Sequence, residues 1–384
     1  MCSRCLCWKN KGSVYQDQDK TKETQKARRS TKGNKDVINH YHLGDVLGSG
    51  AFGVVRSATK KGEKFAIKLL SKARLKRSRV GLRSNALELL KTEIAVWKKL
   101  THPNVCNLIE VINDVNHEEV YLVSEYIKGG MLLPDKRIVE PIEEEMARSF
   151  CRQILLGLEY LHAIGIAHRD IKPANVLLTE RTINGTVKLC DFGVSSIWDK
   201  ENGGTSDVKN TVGTMEFFAP EMCRDGGKEF EATMCDVWAV GVTLYLMLCG
   251  EMPAKGNSMD ELFQSILTLE IKRSNIKQDV QDRYESGAID LLGGLLNGDP
   301  KERWSVERAL DCDWLNKRTG EQKAILRRVS LKFQKVKVSE EEVENCFSPV
   351  SKETARAIAR FNSFRSINQE LEDDSAIANQ ELPV

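Results

Sequence analysis

Residues 166–178 read IAHRDIKPANVLL, and the interpretation of the whole chain turns on them. Two apolar runs, one ending at Ala167 and one starting at Val176, flank His168, Arg169, Asp170, Lys172 and Asn175. Ionised groups are costly to bury unless paired. An acid, two kinds of cation and an amide packed between core-forming runs therefore mark a short, rigid loop that serves chemistry.

Moving outward, LGSGAFGVV (Leu47–Val55) lies between two strand-like runs, and its glycines Gly48, Gly50 and Gly53 let backbone N–H groups approach a phosphate with no Cβ in the way. A dinucleotide fold would require a helix directly after such a loop, and here another strand-like run follows. FAIK places Lys68 at the end of an apolar strand, where an inward ammonium needs an anionic partner; Glu93, on the predicted helix, is the candidate. Taken singly, a surface lysine and a surface glutamate are the better explanation of these two residues. KLCDFGVSS puts Asp191 between an apolar run and a glycine. In the opening loop Asp170 could accept a hydroxyl proton, Lys172 could neutralise a phosphoryl group in transfer, and Asn175 with Asp191 could supply the hard oxygens that Mg²⁺ prefers. Phosphoryl transfer uses this combination of metal-binding oxygens, orienting lysine and positioned acid.

The frame agrees. The chain has 384 residues, 41% hydrophobic and 29% charged, with a formal charge of +2, so it is a globular protein with no overall argument for nucleic acid. Eleven scattered cysteines and no secretory apolar segment ahead of them point to a reducing, cytoplasmic setting. The longest apolar run, Val237–Gly250, is bounded by Asp236 and Glu251 and falls short of the ~20 residues a bilayer span needs, so it reads as a buried helix. Residues 1–40 are polar and basic with little periodicity and read as a disordered tail. A strand-rich lobe with one helix follows over 41–126, a helical lobe over 127–315, and a charged regulatory tail over 316–384.

The glycine loop, the strand lysine, the helix glutamate, HRDxKxxN, DFG and APE (Ala219–Glu221) occur in the order and spacing of eukaryotic protein kinases, and the chain resembles that family over Tyr41–Leu315. The resemblance implies an α+β, bilobal fold with ATP and Mg²⁺ in the cleft. It implies catalytic roles for Asp170, Lys172, Lys68 and Glu93, and metal binding by Asn175 and Asp191. The ATP-binding set it implies is Leu47, Gly48, Ser49, Gly50, Ala51, Phe52, Gly53, Val55, Ala66, Lys68, Ser124, Glu125, Ile127 and Leu177. Lys172 after HRD follows the serine/threonine pattern, and GTMEFFAPE resembles the substrate-docking loop of that class with Thr214 facing Asp170. By the same resemblance Glu221 and Arg303 form a buried ion pair, Asp236 braces the catalytic loop, and His168 packs without acting as a base.

LTHPNVCNLIEVIND, RDIKPANVLL, NTVGTMEFFAPE and DVWAVGVTLY look most like the calcium/calmodulin-dependent protein kinase kinases, and VSEEEVEN (Val338–Asn345) resembles a stretch that group carries ahead of its autoinhibitory and calmodulin-binding segment. Substrates by that resemblance are activation-loop threonines of other kinases. The basic insert before Leu89 lacks the family's prolines. The alternatives are a calmodulin-independent activator of an AMP-activated-kinase relative, and a kinase that also scaffolds through its tails. Two basic amphipathic segments compete for Ca²⁺-calmodulin, Lys323–Val338 and Cys346–Phe364, and position favours the second; a solvated tail is the plain reading of either.

Among loop residues Thr205, Ser206 and Thr211, Thr211 is the first choice for a phosphate paired by Arg169. Ser330 follows two arginines as a basophilic-kinase target would. Ser124 stands where the family has a bulkier gatekeeper, and Cys190 puts a thiol behind the nucleotide. Cys2, Cys5 and Cys7 lack a fourth zinc ligand; S-acylation beside the basic patch would attach the chain to a membrane, and an unmodified tail is the alternative.

Overall fold

The computed structural model describes residues 21–32, 35–50, 53–77, 79–80, 84–114, 116–134, 138–192, 196–197, 213–224, 230–272, 282–317, 339–344 and 346. The first lobe is built on strands β1 (Lys22–Thr24), β2 (Arg29–Lys32), β3 (Lys35–Ile38), β4 (Tyr41–Gly50), β5 (Gly53–Lys60) and β6 (Glu63–Ser71), helix α1 (Lys72–Arg77), the short pair β7 (Arg79–Val80) and β8 (Ser84–Asn85), helix α2 (Ala86–Trp97), and strands β9 (Leu108–Asn113) and β10 (Glu119–Glu125). Eight of these strands form one sheet in the order β1-β9-β10-β6-β5-β4-β3-β2. Its pairings are antiparallel except that of β1 with β9.

Side chains alternate across a strand, and that period sorts the lobe into two cores. Ile67, Leu69, Tyr121 and Val123 join one cluster with Tyr41, Leu43 and Ala58. Leu70, Val120 and Leu122 point the other way, to Leu90 and Ile94 of α2 and the large core of the second lobe. Lys68 therefore shares the α2 side of β6 with Leu70.

The expectation of disorder over residues 1–40 is corrected for 21–32 and 35–40; residues 1–20, with Cys2, Cys5 and Cys7, and residues 33–34 lie outside the described residues. Ala27 and Ile38 close the first cluster. Glu110, 3% exposed, ties the extension down by accepting from the hydroxyls of Thr24 and Tyr41 and pairing with Lys22 at 3.7 Å. A buried carboxylate needs such partners, and they come from two strands far from Glu110 in sequence, β1 and β4.

The second lobe is helical. It holds α3 (Glu144–Ala163), β11 (Ile166–Ala167), β12 (Val176–Leu178), β13 (Val187–Leu189), β14 (Ser196–Ile197), α4 (Pro220–Cys223), α5 (Ala232–Cys249), α6 (Met259–Leu267), α7 (Ser286–Leu295), α8 (Val306–Leu310) and α9 (Asp313–Asn316). By length and composition α5 is apolar enough to cross a bilayer, but it is mostly buried against the lobe, as a core helix is. The charged tail returns to the first lobe as α10 (Glu340–Glu344), packed on α2.

Candidate active site

Lys68 is delivered by β6 and Glu93 by the stripe of α2 that buries Leu90, Ile94 and Trp97. A helix places residues three and four apart on one face, so Glu93 faces the sheet and is 5% exposed. Lys68 Nζ lies 3.6 Å from Glu93 Oε1 and donates to Asp191 Oδ1 at 3.0 Å. Burial alone lowers the Lys68 pKa, but the two carboxylates outweigh it and hold the ammonium above the ordinary lysine range. Burial likewise acts to raise Asp191, and Lys68 overrides it, leaving the carboxyl below its usual range. Glu93, enclosed more tightly, stays above its usual range because burial outweighs the pull of Lys68.

The stretch 166–178 forms a loop between β11 and β12, and its tightest point is Arg169, at φ 69. Left-handed backbone costs roughly 1 kcal/mol or more outside glycine, and Asp236 holds the loop there. Its Oδ2 accepts from the N–H of His168 at 2.8 Å and its Oδ1 from that of Arg169 at 2.7 Å. His162 Nε2 sits 2.8 Å from the same carboxylate. His168 is wholly buried, accepts from Asp170 N–H through Nδ1 at 3.3 Å, and donates from Nε2 to the Cys190 carbonyl at 3.1 Å. Both ring nitrogens are committed to backbone, so His168 is a brace. Phe192 packs between His168 (5.2 Å) and Trp97 (6.0 Å) and fixes the turn in which Asp191 takes φ 64.

Four donors surround the Asp170 carboxylate. Oδ1 accepts from the N–H of Thr214 at 3.2 Å and its hydroxyl at 3.0 Å. Oδ2 accepts from Asn175 Nδ2 at 2.8 Å and lies 2.8 Å from Lys172 Nζ. Lys172 also donates to Thr214 Oγ1 at 2.7 Å. Gly213, at φ +122 with Arg169 O just 2.9 Å from the position of a Cβ, permits the approach. A small open hollow lies beside Asp170, walled in part by Thr214, Phe217, Phe218 and Met222.

The glycine loop is a hairpin of β4 and β5. A Cβ on Gly53 would lie 1.8 Å from Leu69 O, so only glycine lets β5 close on β6 there, whereas a Cβ on Gly48 or Gly50 would enter open space. Ser49 pairs with Val54, and Val55 pairs with Lys68. Ala66 lies opposite Ser124, and Glu125 ends β10 just before the buried Ile127. Leu47 is exposed, and Leu177 bridges to Met131 beyond that connection. Ala51, Phe52 and Thr211 lie outside the described residues, as do Thr205, Ser206 and Ser330.

Asn175 spends its amide nitrogen on the Asp170 side chain and carbonyl, both at 2.8 Å, which leaves its oxygen as the remaining group. The Asp191 side chain is 47% exposed. Two hard oxygens suit a divalent cation that draws its other ligands from phosphate and water. Among the described residues no cluster of three His, Cys, Asp or Glu could form a protein-only cage.

Sequence reasoning missed a clamp behind the nucleotide strand. Glu125 Oε1 accepts from Asn107 N–H at 2.8 Å, Asn107 Nδ2 at 3.1 Å and Lys188 Nζ at 2.9 Å. The alternation of VKLC places Lys188 on the face opposite Val187 and Leu189, so nothing in the pattern marked it as buried. Glu221 and Arg303 form a two-bond pair at 2.7 and 2.9 Å.

A lysine suspended between two carboxylates under a glycine hairpin, with an acid fixed across the cleft, is the geometry of a two-lobed phosphotransferase. The family model described as "Protein kinase domain" matches residues 41–315, and the chain belongs to the protein kinase family, on its serine/threonine branch. It is 34% identical over 297 residues to the serine/threonine-protein kinase GRIK2 of Arabidopsis thaliana, covering 77% of this chain and 70% of that one. It is 37% identical over 377 residues to the serine/threonine-protein kinase ssp1 of Schizosaccharomyces pombe, covering 94% and 56%. A calcium/calmodulin-dependent protein kinase kinase of Caenorhabditis elegans is 33% identical over 328 residues, covering 80% and 58%. The chain thus spans little more than half the length of the last two.

Proposed function

We propose that this chain transfers the γ-phosphoryl group of ATP to activation-loop threonines of downstream kinases, under control of Ca²⁺-calmodulin acting on its C-terminal tail. The observation that carries the reading is the continuous set from Glu93 through Lys68 to Asp191, with Asp170 held across the cleft. Lys68 orients the phosphates, and Asp170 receives the acceptor proton. Lys172 stands beside Asp170 to meet the charge that develops in transfer. Asn175 and Asp191 are the residues that would hold Mg²⁺, which when bound neutralises phosphate charge. The hollow beside Phe217 and Met222 borders Asp170 and lies along the path of the substrate segment next to the acceptor.

The upstream-kinase role and the calmodulin link draw on the sequence resemblance and on the name of the nematode relative. The test offers purified chain an inactive downstream kinase and its loop Thr→Ala variant, with labelled ATP, with and without Ca²⁺-calmodulin. The expected result is label on the threonine form alone, stimulated by calmodulin, with peptide 346–364 binding calmodulin. Label without any calmodulin response selects the calmodulin-independent activator, and no label on any protein overturns the reading.

Ser124 carries a further prediction. Its hydroxymethyl group is short, with the hydroxyl 3.5 Å from the Ala66 carbonyl and beside the Cys106 thiol, so bulky ATP-competitive inhibitors have room there. Ser124→Met is expected to weaken such inhibitors by roughly tenfold or more, the scale of ~1–3 kcal/mol of overpacking, and to leave the KM for ATP nearly unchanged. Equal inhibition of both proteins in a dose series would refute it.

A further inference from the structure

We propose that residues 339–344 together with Cys346 are a positioning strut for α2, seating Glu93 opposite Lys68; the idea rests on the role given to that pair above. The segment folds on a capping box, in which Ser339 Oγ accepts from Glu342 N–H at 3.1 Å and Glu342 Oε2 accepts from Ser339 N–H at 2.9 Å. It then grips the end of α2 at three points. Glu342 Oε2 also accepts from Lys99 Nζ at 2.8 Å. Val343 packs on the main core, and Cys346 is buried in it at 2% exposure. Lys98 Nζ donates to the Cys346 carbonyl at 2.9 Å and pairs with Glu23 of β1, so the flank before the kinase domain meets the flank after it at one lysine. Both flanks lie outside the matched range 41–315.

The grip transmits because the helix continues through it: Lys98 N–H donates to Ile94 O at 3.0 Å, one residue past Glu93. Glu93 is sensitive to that seating. Its buried Oε1 has no hydrogen bond and only the 3.6 Å ion pair with Lys68, so a small shift of α2 would break the set. Displacements near 1 Å cost reactions as much as ~10²-fold.

The test uses the full chain and compares Val343→Asp, Val343→Leu and Glu342→Gln with the parent. Readouts are amide exchange over 86–97, thermal midpoint, and kcat and KM for ATP. Val343→Asp is expected to speed exchange in α2 by about tenfold and to lower kcat/KM, at an unchanged midpoint. Val343→Leu should behave as the parent, and Glu342→Gln should shift α2 exchange about threefold. Exchange and kcat/KM within twofold of the parent in Val343→Asp overturn the strut. If that variant unfolds globally, unchanged α2 exchange in Glu342→Gln overturns it. Exchange does not depend on turnover, so a strut can stand or fall even if the parent proves inactive, which would count against the proposed function alone.

Discussion

Asp170→Asn is expected to lower kcat for phosphoryl transfer by about 10²–10⁴-fold, the usual worth of a positioned acid or base. The parent carboxylate takes four donors, two from Thr214 and one each from Asn175 and Lys172. An amide keeps the shape, but it carries no charge and turns an N–H toward donors on one side. It has nothing to offer an acceptor hydroxyl's proton. Because Asp170 lies apart from the Lys68 set, the KM for ATP should stay within about twofold. Single-turnover transfer at saturating ATP measures this, with circular dichroism to confirm the fold. A variant retaining a tenth or more of the parent rate would remove Asp170 from the reaction.

The largest stability effect is expected at Arg303, whose side chain is fully buried. Its guanidinium donates to both Glu221 oxygens, to Met234 O at 2.8 Å and from Nε to Asn297 O at 3.0 Å, and it stacks 5.1 Å over Trp238. Arg303→Met removes the cation from a nearly buried carboxylate, leaving Glu221 only the weak Cys235 thiol donor at 3.6 Å, and takes a donor from the Asn297 carbonyl; the loss is about 3–5 kcal/mol, or a thermal midpoint lower by roughly 10 °C. The double variant Glu221→Leu/Arg303→Met should be destabilised by less than the sum of its singles, since the unpaired charge is gone. Additive losses in chemical denaturation would show that the pair is not a unit.

Legibility followed the distance over which each arrangement is decided. Asp170, Lys172 and Asn175 fall within six residues on one loop, so residue type and spacing alone announced them. Lys68 and Glu93 each sit on a strong periodic element, which made them candidates for a pair, but only the fold decided that they meet. Residues 21–32 and 35–40 were misread because their anchors are remote: Thr24 and Tyr41 matter through Glu110, which lies some seventy residues beyond Tyr41. The short apolar signal at Val37 and Ile38 was there, but it was too brief to outweigh a basic composition. The inward Lys188 and its Glu125 clamp were hidden for the same reason.

From its sequence alone, this chain declares its two-lobed fold and its reaction class, because turns, periodicity and motif chemistry are local and survive as patterns in one dimension. Tertiary structure decided the rest: which cation pairs with which carboxylate, that the N-terminal extension joins the sheet, and that residues 339–344 and Cys346 return to α2. Those outcomes depend on burying charges and apolar groups from segments far apart in the chain, and burial is a property of the assembled fold.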